Sequence, residues 1–271
     1  NWSIGVPASV ISALAQGDVT ITATVTDSAG NSGTASHTVT VALGSPVLAI
    51  NAIAVDDIIN ATEKGADLAI SGTSDQPEGT QITVTLNGQN YTTTADASGN
   101  WSVTVPASAV GTLGEATYTV TAAATDVDGN SGSASHNVQV NTALPGVTIN
   151  VVATDDIINA AEAGAALTIT GSSTAEAGQT VTVTLNGENY TGTVQTDGSW
   201  SVSVPPADVS ALTASNYTVS AAVSDKAGNP ASVNHNLTVD TSVPVVTINT
   251  VAGDDVINAT EHAQAQIISG S

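Results

Sequence analysis

The sequence contains no cysteine and no phenylalanine, only three tryptophans and four tyrosines, and just two basic residues against 24 acidic ones. Without cysteine, disulfides, thiolate nucleophiles and thiolate zinc sites are excluded from these 271 residues, so stability has to come from packing or from ions. With aromatics at 3%, any core has to be built from Val, Ile, Leu and Ala, which makes a small domain marginal. A formal net charge of −22 argues against nucleic acid or an anionic membrane surface as partner, because both are gripped through Lys and Arg. It turns attention to cations. No apolar run approaches the roughly 18 residues of a membrane-spanning helix. High charge with few aromatics also occurs in disordered chains, but 41% hydrophobic residues in clean alternation argue for folded domains.

What is present is a repeat. Trp2, Trp101 and Trp200 are spaced by 99 residues, and the same period relates Pro46, Pro145 and Pro244, and His37, His136 and His235. The sequence is therefore expected to hold part of a unit at 1–44, complete units at 45–143 and 144–242, and part of another at 243–271. Asn1-Trp2-Ser3 matches Asn100-Trp101-Ser102, in the middle of a unit. Arrays of this kind usually serve as spacers or surfaces rather than pockets.

Within the second unit, short stretches of period-two alternation separated by Gly, Asn, Asp and Pro predict strands near 48–54, 67–72, 81–86, 91–94, 101–105, 117–125 and 133–140. Asn87-Gly88 and Asn186-Gly187 lie where a tight hairpin requires positive φ. Seven antiparallel strands in about 100 residues predict an all-β fold of tandem immunoglobulin-like seven-stranded sandwiches arranged end to end. Alternation places Tyr118, Val120, Ala122 and Ala124 inward on the sixth strand, and Ala134, His136, Val138 and Val140 inward on the seventh.

Half of the acidic residues occupy four columns of the repeat: Asp27, Asp126 and Asp225; Asp56, Asp155 and Asp254; Asp57, Asp156 and Asp255; Glu63, Glu162 and Glu261. The last three columns form Asp-Asp-x-Ile-Asn-x-x-Glu, expected in the loop between the first two strands. The first belongs to Asp-x-x-Gly-Asn, expected between the last two, where Asp128 and Asn130 add oxygens in the second unit. Strand parity puts the first loop at one pole of a unit and the second at the other. End-to-end stacking would then gather Asp56, Asp57 and Glu63 with Asn141 and Asp225 at one junction. Carboxylates so gathered repel unless a cation lies between them, and an all-oxygen set with loose spacing suits Ca²⁺ better than Mg²⁺. The alternative is local turn chemistry, with Asp126 and its counterparts shaping a turn and Asp57 capping one.

Other residues point to structure. The inward parity of His136 predicts a packed, hydrogen-bonded histidine, that of Trp101 and Trp200 predicts core or rim anchors, and Tyr118 and Tyr217 are placed to bond back to the preceding connection. Identical carboxylates in every unit do not make the differentiated pair a glycosidase needs, and neither a Ser-His-Asp arrangement nor a phosphate-binding glycine motif stands out, so the chain is not expected to be an enzyme.

Taken as a set, several motifs resemble the bacterial Ig-like repeats of giant adhesins exported by Gram-negative type I secretion, often called RTX adhesins. They are Pro-x-x-x-Ile-Asn (145–150, 244–249), Asp-Asp-x-Ile-Asn-x-x-Glu, Asn-Gly, Gly-x-Trp-Ser-Val and Thr/Ser-Asp-x-x-Gly-Asn. The resemblance implies an extracellular, cell-surface extender in which Ca²⁺ at junctions between repeats stiffens a filament. Such a filament projects a distal domain toward a host-cell or abiotic surface in adhesion or biofilm formation. It carries calcium ligation to the paired Asp and the Glu, to the Asp before Gly-Asn, and to Asp240 in the linker, where Ala42 and Asn141 depart from the pattern. Other expectations are a glycan- or surface-binding Ig-like array, or an accessory region of a secreted polysaccharide-degrading enzyme.

Overall fold

The computed structural model describes all 271 residues, Asn1–Ser271, and forms two compact units, Asn1–Thr142 and Ala143–Ser271. The first unit opens with the short helix α1 (Ala8–Ile11) and the antiparallel pair β1 (Gly17–Thr26) and β2 (Ser32–Val41). A complete sandwich follows. Its strands are β3 (Leu48–Ile50), β4 (Ile58–Ile59), β5 (Leu68–Ser74), β6 (Gln81–Leu86), β7 (Gln89–Thr94) and β8 (Asn100–Val105), then helix α2 (Ala107–Val110), β9 (Thr117–Thr125) and β10 (Ser131–Val140). The second unit repeats this plan with β11 (Val147–Ile149), β12 (Ile157–Ile158), β13 (Leu167–Ser173), β14 (Thr180–Leu185), β15 (Glu188–Thr193), β16 (Ser199–Val204), helix α3 (Pro206–Ser210), β17 (Ser215–Ser224) and β18 (Pro230–Val239).

Each sandwich stacks a three-stranded sheet, β3-β5-β8 or β11-β13-β16, against a five-stranded one, β4-β10-β9-β6-β7 or β12-β18-β17-β14-β15. The Asn87-Gly88 hairpin forms as the sequence requires, with φ of 50° and 76°, and its second strand stays beside the first in the larger sheet.

The first strand departs from expectation. Instead of running over 48–54 it stops at Ile50, crosses from one sheet to the other, and resumes as β4, which pairs parallel to β10. Ala54, Val55 and Asp57 in the crossover have φ of 51°, 72° and 66°, and Ala153, Thr154 and Asp156 repeat this in the next sandwich. Left-handed backbone is costly for Val and Thr. Burial of Ile53 and Val152 within the turn offsets that cost. Asp56 and Asp57 thus lie in a crossover between sheets. The loop that reaches the pole is the segment after β4, containing Asn60 and Glu63.

The cores follow the predicted parity. Val120, Ala122, Ala124, Val138 and Val140 are buried, as are Ile82 and Val84 from β6 of the same sheet and Ile70 and Val103 from the facing one. Trp101 and Trp200 are 3% and 1% exposed. Each packs against a glycine of the neighbouring strand. A Cβ on Gly72 would come 2.4 Å from the Trp101 ring and 1.9 Å from the Ala49 carbonyl oxygen, and Gly171 is equally confined by Trp200 and Thr148. Tyr118 and Tyr217 accept hydrogen bonds from the Gly114 and Thr213 amides at 2.8 and 2.9 Å, tying the connection after α2 and α3 to the sixth strand. In the β1–β2 pair, Ile21 and Val25 are exposed where the equivalent Val120 and Ala124 are buried. Between 243 and 271 strand pairing is reduced to an isolated bridge, Ile248 to Gly270, beside a 3₁₀ turn at Glu261–Ala263.

Candidate metal centre

The acidic columns fall into three local devices, and in each the carboxylate first serves its own backbone. Before Gly-Asn, the aspartate folds back over its turn. Asp126 Oδ1 accepts the amides of Asp128 and Asn130 at 3.0 and 2.8 Å, and Oδ2 accepts Asn130 Nδ2 at 3.0 Å. Asp27 makes the same contacts with Ala29 and Asn31, and Asp225 with the Asn229 amide and side chain. Gly30, Gly129 and Gly228 supply the positive φ that closes the turn. Hydrogen bonds from the Asn31 and Asn130 side chains, reinforced by backbone amides, hold Asp27 and Asp126 below the usual carboxylate range. This is the turn-shaping chemistry that competes with the metal reading. Asp128 is exposed, while Asn130 also reaches the Ala42 carbonyl oxygen in the preceding linker at 3.5 Å.

The second device is the pole loop after β4. Asn60 Oδ1 accepts the Thr62 and Glu63 amides at 2.9 and 3.0 Å while Glu63 Oε2 accepts the Asn60 amide at 3.0 Å. Asn159 with Glu162, and Asn258 with Glu261, repeat the exchange. This is a reciprocal capping box, and in the second and last repeats it opens a short 3₁₀ turn. The spacing Asn-x-x-Glu carries its sequence signature, which the cation reading passed over.

The third device is the crossover. Asp56, Asp155 and Asp254 each accept the amide two residues on, Ile58, Ile157 and Val256, at 2.9 to 3.1 Å through Oδ1. Asp57, Asp156 and Asp255 reach back four residues to the amides of Ile53, Val152 and Val251. Asp57 Oδ1 also lies 2.7 Å from His136 Nε2, and Asp156 Oδ1 lies 2.6 Å from His235 Nε2. The repeated histidine is therefore half-buried and hydrogen-bonded, as parity implied, but its partner comes from 79 residues away. For Asp57 the Ile53 amide and then His136 lower the pKa; for Asp156 the order is His235 and then the Val152 amide. Asp240 in the linker turns back to Ser242, whose hydroxyl and amide lower its pKa.

The donor chemistry fits a hard cation, since every side chain in these columns offers oxygen. The structure does not, however, bring three or more Asp, Glu or His side chains into one group able to hold an ion. Trp101 and Trp200 are core residues and offer no exposed stacking platform, and no helix is long and apolar enough to cross a membrane.

Residues 52–142 and 149–241 match the family model of the bacterial Ig-like domain. Among solved structures, the chain is similar to a Ca²⁺-stabilized adhesin that helps an Antarctic bacterium reach out and bind ice, with 35% identity, 94% of this chain covered and a TM-score of 0.50. It spans 65% of that protein's solved chain. A 1.5-MDa bacterial ice-binding adhesin is 32% identical over 89% of this chain and 80% of its own, with a TM-score of 0.49. An immunoglobulin-like domain of the M. primoryensis ice-binding adhesin is 34% identical over 36% of this chain and 98% of its own, with a TM-score of 0.30. No curated protein matches the chain. Two successive sandwiches that repeat one topology and one set of motifs, each matched by the family model, establish that the chain belongs to the bacterial Ig-like domain family.

Proposed function

We propose that this chain is an extender segment of a large bacterial surface adhesin, and that Ca²⁺ bound where successive repeats join makes it stiff. The observation that carries this reading is the placement of acids: 12 of 24 fall in four columns of a 99-residue repeat, while the rest scatter. Similarity to a Ca²⁺-stabilized adhesin over 94% of the chain supports it. Repeat boundaries at 44/45, 143/144 and 242/243 belong to the same reading.

The residues proposed to hold the ion are Asp56, Asp155 and Asp254, together with Glu63, Glu162 and Glu261. Each has one carboxylate oxygen on a local amide and a second oxygen with no such role. Asp27, Asp126 and Asp225, the Asp128 and Asn130 oxygens, and Asp240 complete the proposed donors. Asp57, Asp156 and Asp255 belong to the set through Oδ2, since it is their Oδ1 atoms that receive the Ile53, Val152 and Val251 amides. When bound, Ca²⁺ supplies charge neutralisation among carboxylates that otherwise repel. Extracellular modules typically bind Ca²⁺ at about 10⁻⁴ to 10⁻³ M, so the segment would be flexible during type I export from a calcium-poor cytosol and ordered outside a Gram-negative cell. The role is mechanical and not enzymatic: it carries a binding domain located elsewhere in the protein toward a host-cell or abiotic surface. Calorimetric titration with CaCl₂ tests it. Millimolar-range binding is expected, with fewer ions bound after Asp56→Ala or Asp155→Ala; no binding heat at 10 mM, or an unchanged stoichiometry in both variants, overturns it.

A further inference from the structure

Among 24 acidic residues, Asp57 and Asp156 make the carboxylate–histidine contacts of the molecule, to His136 and His235, at equivalent positions in the two complete sandwiches. Each pair joins the crossover to the last strand of its repeat. The side-chain bond is continued by backbone bonds along the same seam. The Gln139 amide donates to the Asp57 carbonyl at 2.8 Å and the Asn141 amide to the Ile59 carbonyl at 3.0 Å, around the parallel pairing of Ile58 and Ile59 with Gln139 and Val140. In the third repeat, Thr238 donates to Asp156 at 2.9 Å and Asp240 to Ile158 at 3.0 Å.

Topology gives this seam a mechanical meaning. The chain enters a repeat through β3, crosses over, runs up β4, and leaves from the upper end of β10, which is parallel to β4. Pulling on the two ends of a repeat drives β4 and β10 past each other along their length. Bonds across a parallel seam are then strained together in shear, whereas an antiparallel hairpin opens one bond at a time. Two registered residue pairs make a short seam. His136 lies three residues before Gln139, roughly 10 Å further down the strand at 3.3 Å per residue, so its bond to Asp57 lengthens the region that must yield at once.

We propose that the Asp57–His136 and Asp156–His235 pairs are tension latches, holding the crossover against the last strand so that each repeat resists unfolding by force along the chain. Both side chains are partly exposed, at 38% and 29% in the second repeat, so the pair contributes little to equilibrium stability. Its effect falls on the rate of forced unfolding: removing a contact that is broken at the transition state speeds unfolding by that contact's whole contribution and leaves refolding unchanged. That the array carries tension at all rests on the stalk reading; the latch itself is tested without calcium and without a partner.

The experiment is force-clamp spectroscopy on the full 271-residue chain, tethered at both ends, in chelator and then in calcium, alongside urea melts of the untethered protein. His136→Ala with His235→Ala is expected to raise the unfolding rate at fixed force about three- to tenfold in chelator, with the refolding rate unchanged and the urea midpoint lowered only as far as that factor implies. His136→Gln with His235→Gln keeps a donor toward the same oxygen and should recover part of the loss. An unchanged rate for the alanine variant in chelator overturns the latch. So does a loss of equilibrium stability carried mainly by slower refolding, or a rise that appears only in calcium and so marks the pair as part of the cation site. Failure of the stalk reading shows separately, as a wild-type chain that binds no calcium.

Discussion

The two tryptophans provide an internal comparison in which nearly everything cancels except one hydrogen bond. Trp101 and Trp200 have the same place in their sheets, the same glycine against the ring, and almost the same burial. They differ at the indole nitrogen. Trp101 Nε1 donates to the Thr73 carbonyl at 3.1 Å, whereas Trp200 Nε1 is buried without a partner. The cause lies one strand away: position 49 is Ala, but its counterpart is Thr148, whose hydroxyl lies 3.4 Å from the Ser172 carbonyl, the equivalent of that of Thr73. Replacing either indole by Phe removes similar apolar area. Trp101→Phe also breaks a formed bond, while Trp200→Phe removes a donor already unpaired. Loss of a hydrogen bond on one side and relief of an unpaired buried donor on the other differ by about 1–3 kcal/mol. At roughly 4–8 °C per kcal/mol for a domain of this size, the Trp101 variant should lower its repeat's melting point by about 5–20 °C more than the Trp200 variant lowers its own. Differential scanning calorimetry on the whole chain reads both transitions at once, because distant sites add independently. Thr148→Ala, which frees the Ser172 carbonyl, should bring the second cost up toward the first. Equal shifts, or a larger one for Trp200→Phe, refute the reasoning.

Gly72→Ala or Gly171→Ala places a methyl against both a carbonyl oxygen and an indole ring, and is expected to destabilise its own repeat by about 3 kcal/mol or more, at the top of the range for overpacked cores; a shift under 2 °C in calorimetry contradicts the packing. Tyr190 donates to Asp208 at 2.9 Å, and burial followed by that carboxylate pushes its pKa up to about 12. A raised folded value stabilises below the unfolded pKa and is lost above it, so ultraviolet titration should show one of the four tyrosines ionising late, with stability falling between about pH 10 and 12; Tyr190→Phe should abolish that late step. Depressed carboxylates act in the opposite sense. Asp57, Asp96, Asp126 and Asp156 stabilise the fold above the ordinary carboxylate range, so urea midpoints should hold near neutral pH and fall below about pH 4; a midpoint constant down to pH 2 contradicts those contacts.

Much of the fold was legible because it rests on local periodicity. Alternation located the strands and their inward faces, and Asn-Gly fixed the hairpins, since both signals act over a few residues. The split first strand was not legible: Ala54 and Val55 take left-handed φ with no glycine or asparagine to announce it, because buried Ile53 and the Asp57 carboxylate impose the turn. The His136–Asp57 pair was half legible. Parity put the histidine inside, but its partner depends on a crossover that only the three-dimensional path creates. For the acids, repetition singled out four columns as cation ligands, yet the same columns satisfy backbone amides, as Asn60 and Glu63 do in their capping box. Local turn chemistry and cation binding call for the same residue types.

The central claim, that calcium stiffens this array at its joints, is tested most directly by small-angle X-ray scattering on the chain in millimolar calcium and in chelator, with melting followed in parallel. The account predicts a longer maximum dimension with a narrower spread, and a higher melting temperature, in calcium. Identical scattering curves and identical melting in the two conditions would contradict it.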